Sequence, residues 1–205
     1  MPRPILDNAS ARRLFLHKHF LGSAPVGPGK GEDLLQLIKG LGFVQVDSVS
    51  TVERAHHMIL FARRPAYRPK ALAHLLEKDR QLFEHWTHDA AIIPIDFYRY
   101  WHLPFERSRA RLTKKWQDWQ GAAYVNELDR VMEHVAEKGS SRSSDLMAEE
   151  HRGQSGGWWN WHPSKAALEF LWRTGSLAIS KRQSFQKFYR SEEHTSELQS
   201  QPIIS

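Results

Sequence analysis

The 205 residues are 40% hydrophobic and 25% charged, enough apolar mass for one large domain or two small ones and too much for a disordered chain. With no apolar run near about 20 residues, no basic-then-apolar leader in MPRPILDNAS and no cysteine, we expect a cytoplasmic protein without membrane span, disulfides, thiolate catalysis or Cys-ligated zinc. Lys+Arg 29 against Asp+Glu 23 gives +6, which suits a polyanionic partner, nucleic acid first, although surface solubility explains such a balance nearly as often.

In chain order, residues 8–10 (Asn-Ala-Ser) read as the N-cap region of a helix that runs to about Phe20. A Gly- and Pro-rich loop covers 22–31. Leu34, Leu35, Leu37 and Ile38 mark an amphipathic helix over 32–39, stopped at Gly40. Residues 43–47 form a short strand. A helix over 52–64 gathers Met58, Ile59, Leu60 and Phe61 into an apolar cluster, and another spans 69–78. Strands are predicted at 82–88 and 90–94, followed by a long basic, aromatic helix over 96–119 that kinks or restarts at Pro104.

Helix, helix, strand, helix and hairpin is the layout of an elaborated winged helix, and it recurs. Residues 124–137 form a helix with Leu128, Val131, Met132 and Val135 on one face, and Ser143 caps a short one. The helix over 163–173 begins with Pro163, buries Ala167, Leu168 and Leu171, and ends at Gly175. Strands at 177–180 and 186–189 then pair as a wing around Lys181 and Arg182. The expected fold is mainly α with small β hairpins (α+β), a tandem winged helix-turn-helix. Residues 1–121 form the first unit with a long connecting helix, and residues 122–189 the second. A third helix in a groove and basic wings on phosphates would follow.

From Arg190 the chain reads RSEEHTSELQSQPIIS, without helical or strand periodicity. This resembles a translated sequencing adapter, so residues 190–205 are expected to be a non-native, disordered tail on a truncated chain. That segment holds one Arg and three Glu, which leaves +8 on the rest.

Side chains alternate on a strand, so Phe43, Gln45 and Asp47 share one face and Val44 and Val46 the other. An amide and a carboxylate thus project together, the pair a hydrolase needs to hold water and accept its proton. Spacing alone favours a blander reading, a strand end where Gln45 and Asp47 meet solvent or cap the next helix, because Q-x-D is common by chance. Among twelve histidines, His85 and His88 point to opposite strand faces, and the adjacent His56 and His57 do not easily share a site. No metal site is expected. The run Trp158 to Trp161 could stack on bases but more often fastens a loop to the core, and Trp101, Trp116 and Trp119 read as core or interdomain contacts.

Three blocks together, FVQVDSVSTVERAHHMILFARR, EHWTHDAAIIP and SGGWWNWHPSKAALEFLWRTGSLAISKRQSFQKFY, resemble the AlkZ/YcaQ family of winged-helix DNA glycosylases. The resemblance covers residues 10–189, about half of a family member, with a third winged helix and the C-terminal region missing. It implies removal of alkylated bases from double-stranded DNA, including unhooking of interstrand crosslinks, by a metal-free monofunctional enzyme without cofactor. Gln45-Val46-Asp47 matches the Gln-apolar-Asp signature of the YcaQ-like branch. That match overturns the blander reading of the strand end. Asp47 would stabilise the oxocarbenium-like sugar and activate water, and Gln45 would orient that water or the nucleotide. A single carboxylate suffices because N7-alkylation already makes the purine a good leaving group. Arg54, Arg63, Arg64, His88, Lys165, Lys181 and Arg182 are the DNA-binding candidates, with Glu53 beside Arg54 near the channel. The resemblance implies a nucleoid-associated bacterial monomer, and a truncated chain that could lack activity for want of its C-terminal part. Two other classes stay open. One is a non-catalytic winged-helix transcriptional regulator, which would bind undamaged DNA without base release. The other is a protein-interaction module using its tryptophans, whose binding would be insensitive to salt.

Overall fold

The computed structural model describes residues 5–120, 123–147 and 163–191; for 115–120, 123–125 and 147 only the backbone is described. The chain divides into two compact units, one of residues 1–82 with 87–96 and one of residues 83–86 with 97–205. The long helix after the hairpin groups with the second unit, whereas the sequence placed it with the first. The fold is mainly helical α+β with small antiparallel sheets, as expected.

The first unit opens with α1 (Asn8–Lys18). Its cap is Asp7, one residue before the expected region; the carboxylate accepts the Ser10 N–H at 2.9 Å, satisfying a donor that the helix leaves open. This helix buries none of its residues. Helix α2 (Gly31–Leu41) runs through Gly40, the expected stop, and ends at Gly42 instead. The Phe20 ring lies so close to Gly40 that a Cβ there would collide with it, so this glycine serves packing. Gly42 takes φ +87°, the left-handed conformation that ends a helix without penalty for glycine.

Strand β1 (Val44–Gln45) follows, then α3 (Ala55–Arg63) and α4 (Pro69–Glu77). The expected helix start at Val52 is overruled by a loop that an isolated Ser50–Arg54 bridge closes on itself. Of the four apolar residues clustered on α3, only Leu60 is fully buried; Met58 and Phe61 are exposed. Strands β2 (Leu82–Trp86) and β3 (Ala90–Pro94) complete a three-stranded sheet in the order β1-β3-β2. The core of the first unit joins Leu34, Leu35, Leu37 and Ile38 of α2 to Leu72 and Leu75 of α4, with Val44, Val46, Ala91 and Ile93 from the sheet.

The second unit takes in a 3-10 turn over Ile95–Tyr100 and α5 (His102–Gln120). Pro104 falls in the first turn of α5, where its missing N–H costs nothing, so the chain restarts there rather than kinking. Helices α6 (Ala123–Lys138), α7 (Ser143–Met147) and α8 (Pro163–Arg173) lead to the hairpin of β4 (Leu177–Gln183) and β5 (Gln186–Ser191). Ser143 starts α7 from inside the helix, and Asp145 reaches back to accept the Arg142 N–H at 3.0 Å.

Helix α8 is the centre of this unit, with Ser164 and residues 166–172 all buried against Val131, Val135, Leu146, Leu177 and Ile179. Residues 83–86 are fastened to it. Trp172 donates its indole N–H to the Glu84 carbonyl at 3.1 Å, and His85 Nε2 lies 2.8 Å from the Trp172 carbonyl. The hairpin is longer than expected. Ser184 and Phe185, both at positive φ, form its two-residue turn, and Arg190 and Ser191 extend β5 beyond Tyr189. The Trp158 to Trp161 run lies outside the described residues, as do the side chains of Trp116 and Trp119 and all of residues 192–205.

Candidate active site

Strand β1 is short, but its alternation matches the expected one. Val44 and Val46 are buried, while Phe43 is exposed and Gln45 and Asp47 are half-buried on the opposite face. The register is set by β3, with Gln45 opposite Ala91 and the Val46 N–H donated to the Ala90 carbonyl at 2.8 Å. Two buried valines therefore fix the direction in which Gln45 and Asp47 project.

Ladder pairing ends after Val46, and Asp47 turns the chain. Its Oδ1 accepts the Val49 N–H at 2.8 Å, an Asx turn. Its own N–H is donated to His56 Nδ1 at 3.2 Å. Among the described residues, neither Asp47 Oδ2 nor the Gln45 amide carries a hydrogen bond. One carboxylate oxygen thus holds the turn while the other has no hydrogen-bond partner among the described residues, and the neighbouring amide carries a donor and an acceptor.

Behind the turn, α3 supplies a cluster that sequence reasoning passed over. His56 is buried, with its ring centroid 4.1 Å from that of His57. His57 Nδ1 lies 2.7 Å from the buried Tyr67 hydroxyl. Burial pushes His57 below the ordinary histidine range, against the opposing pull of Glu53. Burial also raises the Tyr67 phenol, helped by Glu53, so that hydroxyl stays protonated. The Glu53 carboxyl is held low mainly by the Arg54 N–H, accepted at 2.8 Å. The adjacent histidines do not share one ligand; each serves its own partner. Nothing in local spacing signals this, since the partners lie nine and ten residues away across turns.

The DNA-binding candidates scatter. His88 sits in the β2–β3 turn, exposed, edge-on to Phe43 at 6.3 Å. Arg54 precedes α3 and is half-buried. Arg63 is buried, its guanidinium donating to the carbonyls of His19 and Ile59 at 2.7 and 2.8 Å. Arg64 pairs with Asp33 at 2.9 Å. In the second unit, Arg182 donates to both oxygens of the fully buried Glu84 carboxylate at 2.7 and 2.6 Å, and also to the Phe185 carbonyl. Lys181 lies 4.6 Å over the Phe188 ring, and Lys165 is exposed on α8. Arg63, Arg64 and Arg182 thus have structural partners that the charge count did not reveal. No cluster of His, Asp or Glu suited to a metal occurs among the described residues, and none of their helices is long and apolar enough to cross a membrane.

The family described as "DNA glycosylase AlkZ-like" matches residues 38–202, a span that holds β1, the Asp47 turn and α3 through β5. The chain belongs to this family of DNA glycosylases. Its substrate is accordingly DNA, and the bond at issue joins base to sugar. The match includes Gln45 and Asp47 and continues through 190–202, part of the segment set aside as a tail. No solved structure matches the chain.

Proposed function

We propose that this protein hydrolyses the N-glycosidic bond of N7-alkylated purines in duplex DNA, interstrand-crosslinked ones included, with Asp47 and Gln45 as the reacting pair. The observation that carries the reading is the projection of both side chains from one face, in a chain of the glycosylase family. An N7-alkylated purine is cationic. When the C1′–N9 bond breaks, its electron pair stays on the base and neutralises that charge, so no acid need protonate the leaving group. Water adds its oxygen to C1′, and Asp47 Oδ2 takes the proton that water gives up. The same carboxylate stabilises the cationic sugar before attack. Gln45 holds the water or the nucleotide. No metal or cofactor takes part, and the protein acts as a monomer. His88, Arg54, Lys165 and Lys181 are the proposed contacts to the duplex.

Asp47→Asn is the discriminating variant. An amide keeps the acceptor for the Val49 N–H, so the turn persists while the base is lost. Release of 7-methylguanine from methylated duplex DNA falls by about 100-fold or more in this variant, a loss of roughly 3 kcal/mol of transition-state stabilisation. Equal release by both proteins removes Asp47 from the reaction. One observation favours a second reading, a non-catalytic DNA-binding regulator: the Asp47 carboxylate already has a structural use in closing the turn. Binding to undamaged duplex with no base release supports that reading.

A further inference from the structure

We infer that His56 is a positioning residue for Asp47, acting through the backbone rather than on the DNA. The inference rests on the proposal that Asp47 is the reacting carboxylate. The Val46 N–H points to β3 and is donated to Ala90, whereas the Asp47 N–H, by the alternation of an antiparallel ladder, points away from β3 on the outer edge of the sheet and has no strand partner there. His56 receives it, at 3.2 Å, from the first turn of α3. An unpaired N–H at such a place would let the peptide rotate and carry the carboxylate with it. The Val49 N–H then fixes Oδ1 from the other side. Two bonds, one on the backbone and one on the side chain, thus aim Oδ2 without touching it.

For this the imidazole must itself be fixed. It is buried, lies against the His57 ring, and accepts at Nδ1, so the neutral ring carries its proton on Nε2. His57 is held in turn by Tyr67. The loop of residues 48–54 leaves Asp47 and returns to α3, and the His56 bond closes it at its base.

The geometry makes a side-chain-specific prediction. The Oδ1 of an asparagine falls where His56 Nδ1 now lies, whereas a glutamine amide reaches beyond it and a leucine offers no acceptor. His56→Asn therefore keeps base release within a few-fold of the parent, while His56→Gln and His56→Leu lower the single-turnover rate by about 10- to 100-fold, the scale of a small misplacement of a reacting group. Duplex affinity stays within about twofold in all three, because His56 makes no contact with DNA. Amide hydrogen exchange gives a readout independent of turnover. The Asp47 N–H exchanges faster in His56→Leu and His56→Gln and stays protected in His56→Asn. Asp47→Asn serves as the control. If it is inactive while His56→Leu retains full rate, the inference about His56 falls and the role of Asp47 stands. If Asp47→Asn retains full rate, or the parent releases no base, the catalytic reading falls and His56 is left as a structural closure of the loop. Equal loss in His56→Asn and His56→Leu, with protection of the Asp47 N–H unchanged in both, overturns the positioning role.

Discussion

A buried histidine makes the second unit sensitive to acid. His85 is wedged among Trp101, Phe105 and Trp172; its Nδ1 accepts the Trp101 indole N–H at 2.7 Å and its Nε2 donates to the Trp172 carbonyl. Burial lowers its pKa from 6.5 to about 4, the bond to Trp172 only partly opposing. Protonation would put a hydrogen on Nδ1 and break the contact to Trp101. In the unfolded chain His85 titrates near 6.5, so between there and about 4 the unfolded state binds the extra proton and the folded state does not. Stability is therefore complete above about pH 6.5 and declines as pH falls toward 4. From pH 7 to pH 5 the loss is about 2 kcal/mol, at about 1.4 kcal/mol per pH unit below 6.5. Urea unfolding followed by tryptophan fluorescence at pH 7, 6 and 5 measures it. His85→Gln starts less stable but declines less steeply, by about those 2 kcal/mol over the interval. Parallel declines in the two proteins refute the assignment.

Two other expectations concern packing. Arg182→Met leaves the Glu84 carboxylate buried without its partner and costs about 3–5 kcal/mol in the same urea experiment, much more than loss of a surface cation. A stability change below 1 kcal/mol would show that the pair is not a fixture of the fold. Gly29→Ala destabilises the first unit by about 2 kcal/mol or more, visible as a lower melting temperature. Gly29 sits at φ +62°, and a Cβ would come within 2.7 Å of the Tyr67 backbone, which cannot swing aside.

What could be read from the sequence follows physical range. The face shared by Phe43, Gln45 and Asp47 was legible because a period of two needs no tertiary information, even though formal pairing covers only Val44 and Gln45. Helix α8 has its expected bounds because Pro163 opens it and residues 166–172 are apolar apart from Glu169, whose carboxylate is paired with Arg173 and Lys187. The end of α2 was misplaced by two residues, since one glycine is chosen for its neighbour's ring and the other for its backbone angle. The start of α3 was misplaced because Val52 fits a helix by type but lies in a loop, 91% exposed. The cations were the least legible. Arg182 meets Glu84 ninety-eight residues away, and Arg64 meets Asp33 across thirty-one, separations that no local pattern encodes. His56 was invisible for a similar reason, because its partner is a backbone amide and backbone amides have no letter in a sequence.

The strand order β1-β3-β2 has a consequence for synthesis. The central strand is the last to leave the ribosome, so Val44 and Gln45 wait for Ile92 and Ala91 before any ladder can form. During that interval the nascent chain exposes Val44 and Val46 together, an apolar edge that only later residues can cover. Helices α2 and α4, whose leucines meet in the first unit's core, are complete by residue 77 and can hold that edge in a loose collapse until β3 slides in. A pause in synthesis before residues 90–94 emerge would thus prolong the stage at which Val44 and Val46 lack their strand partner.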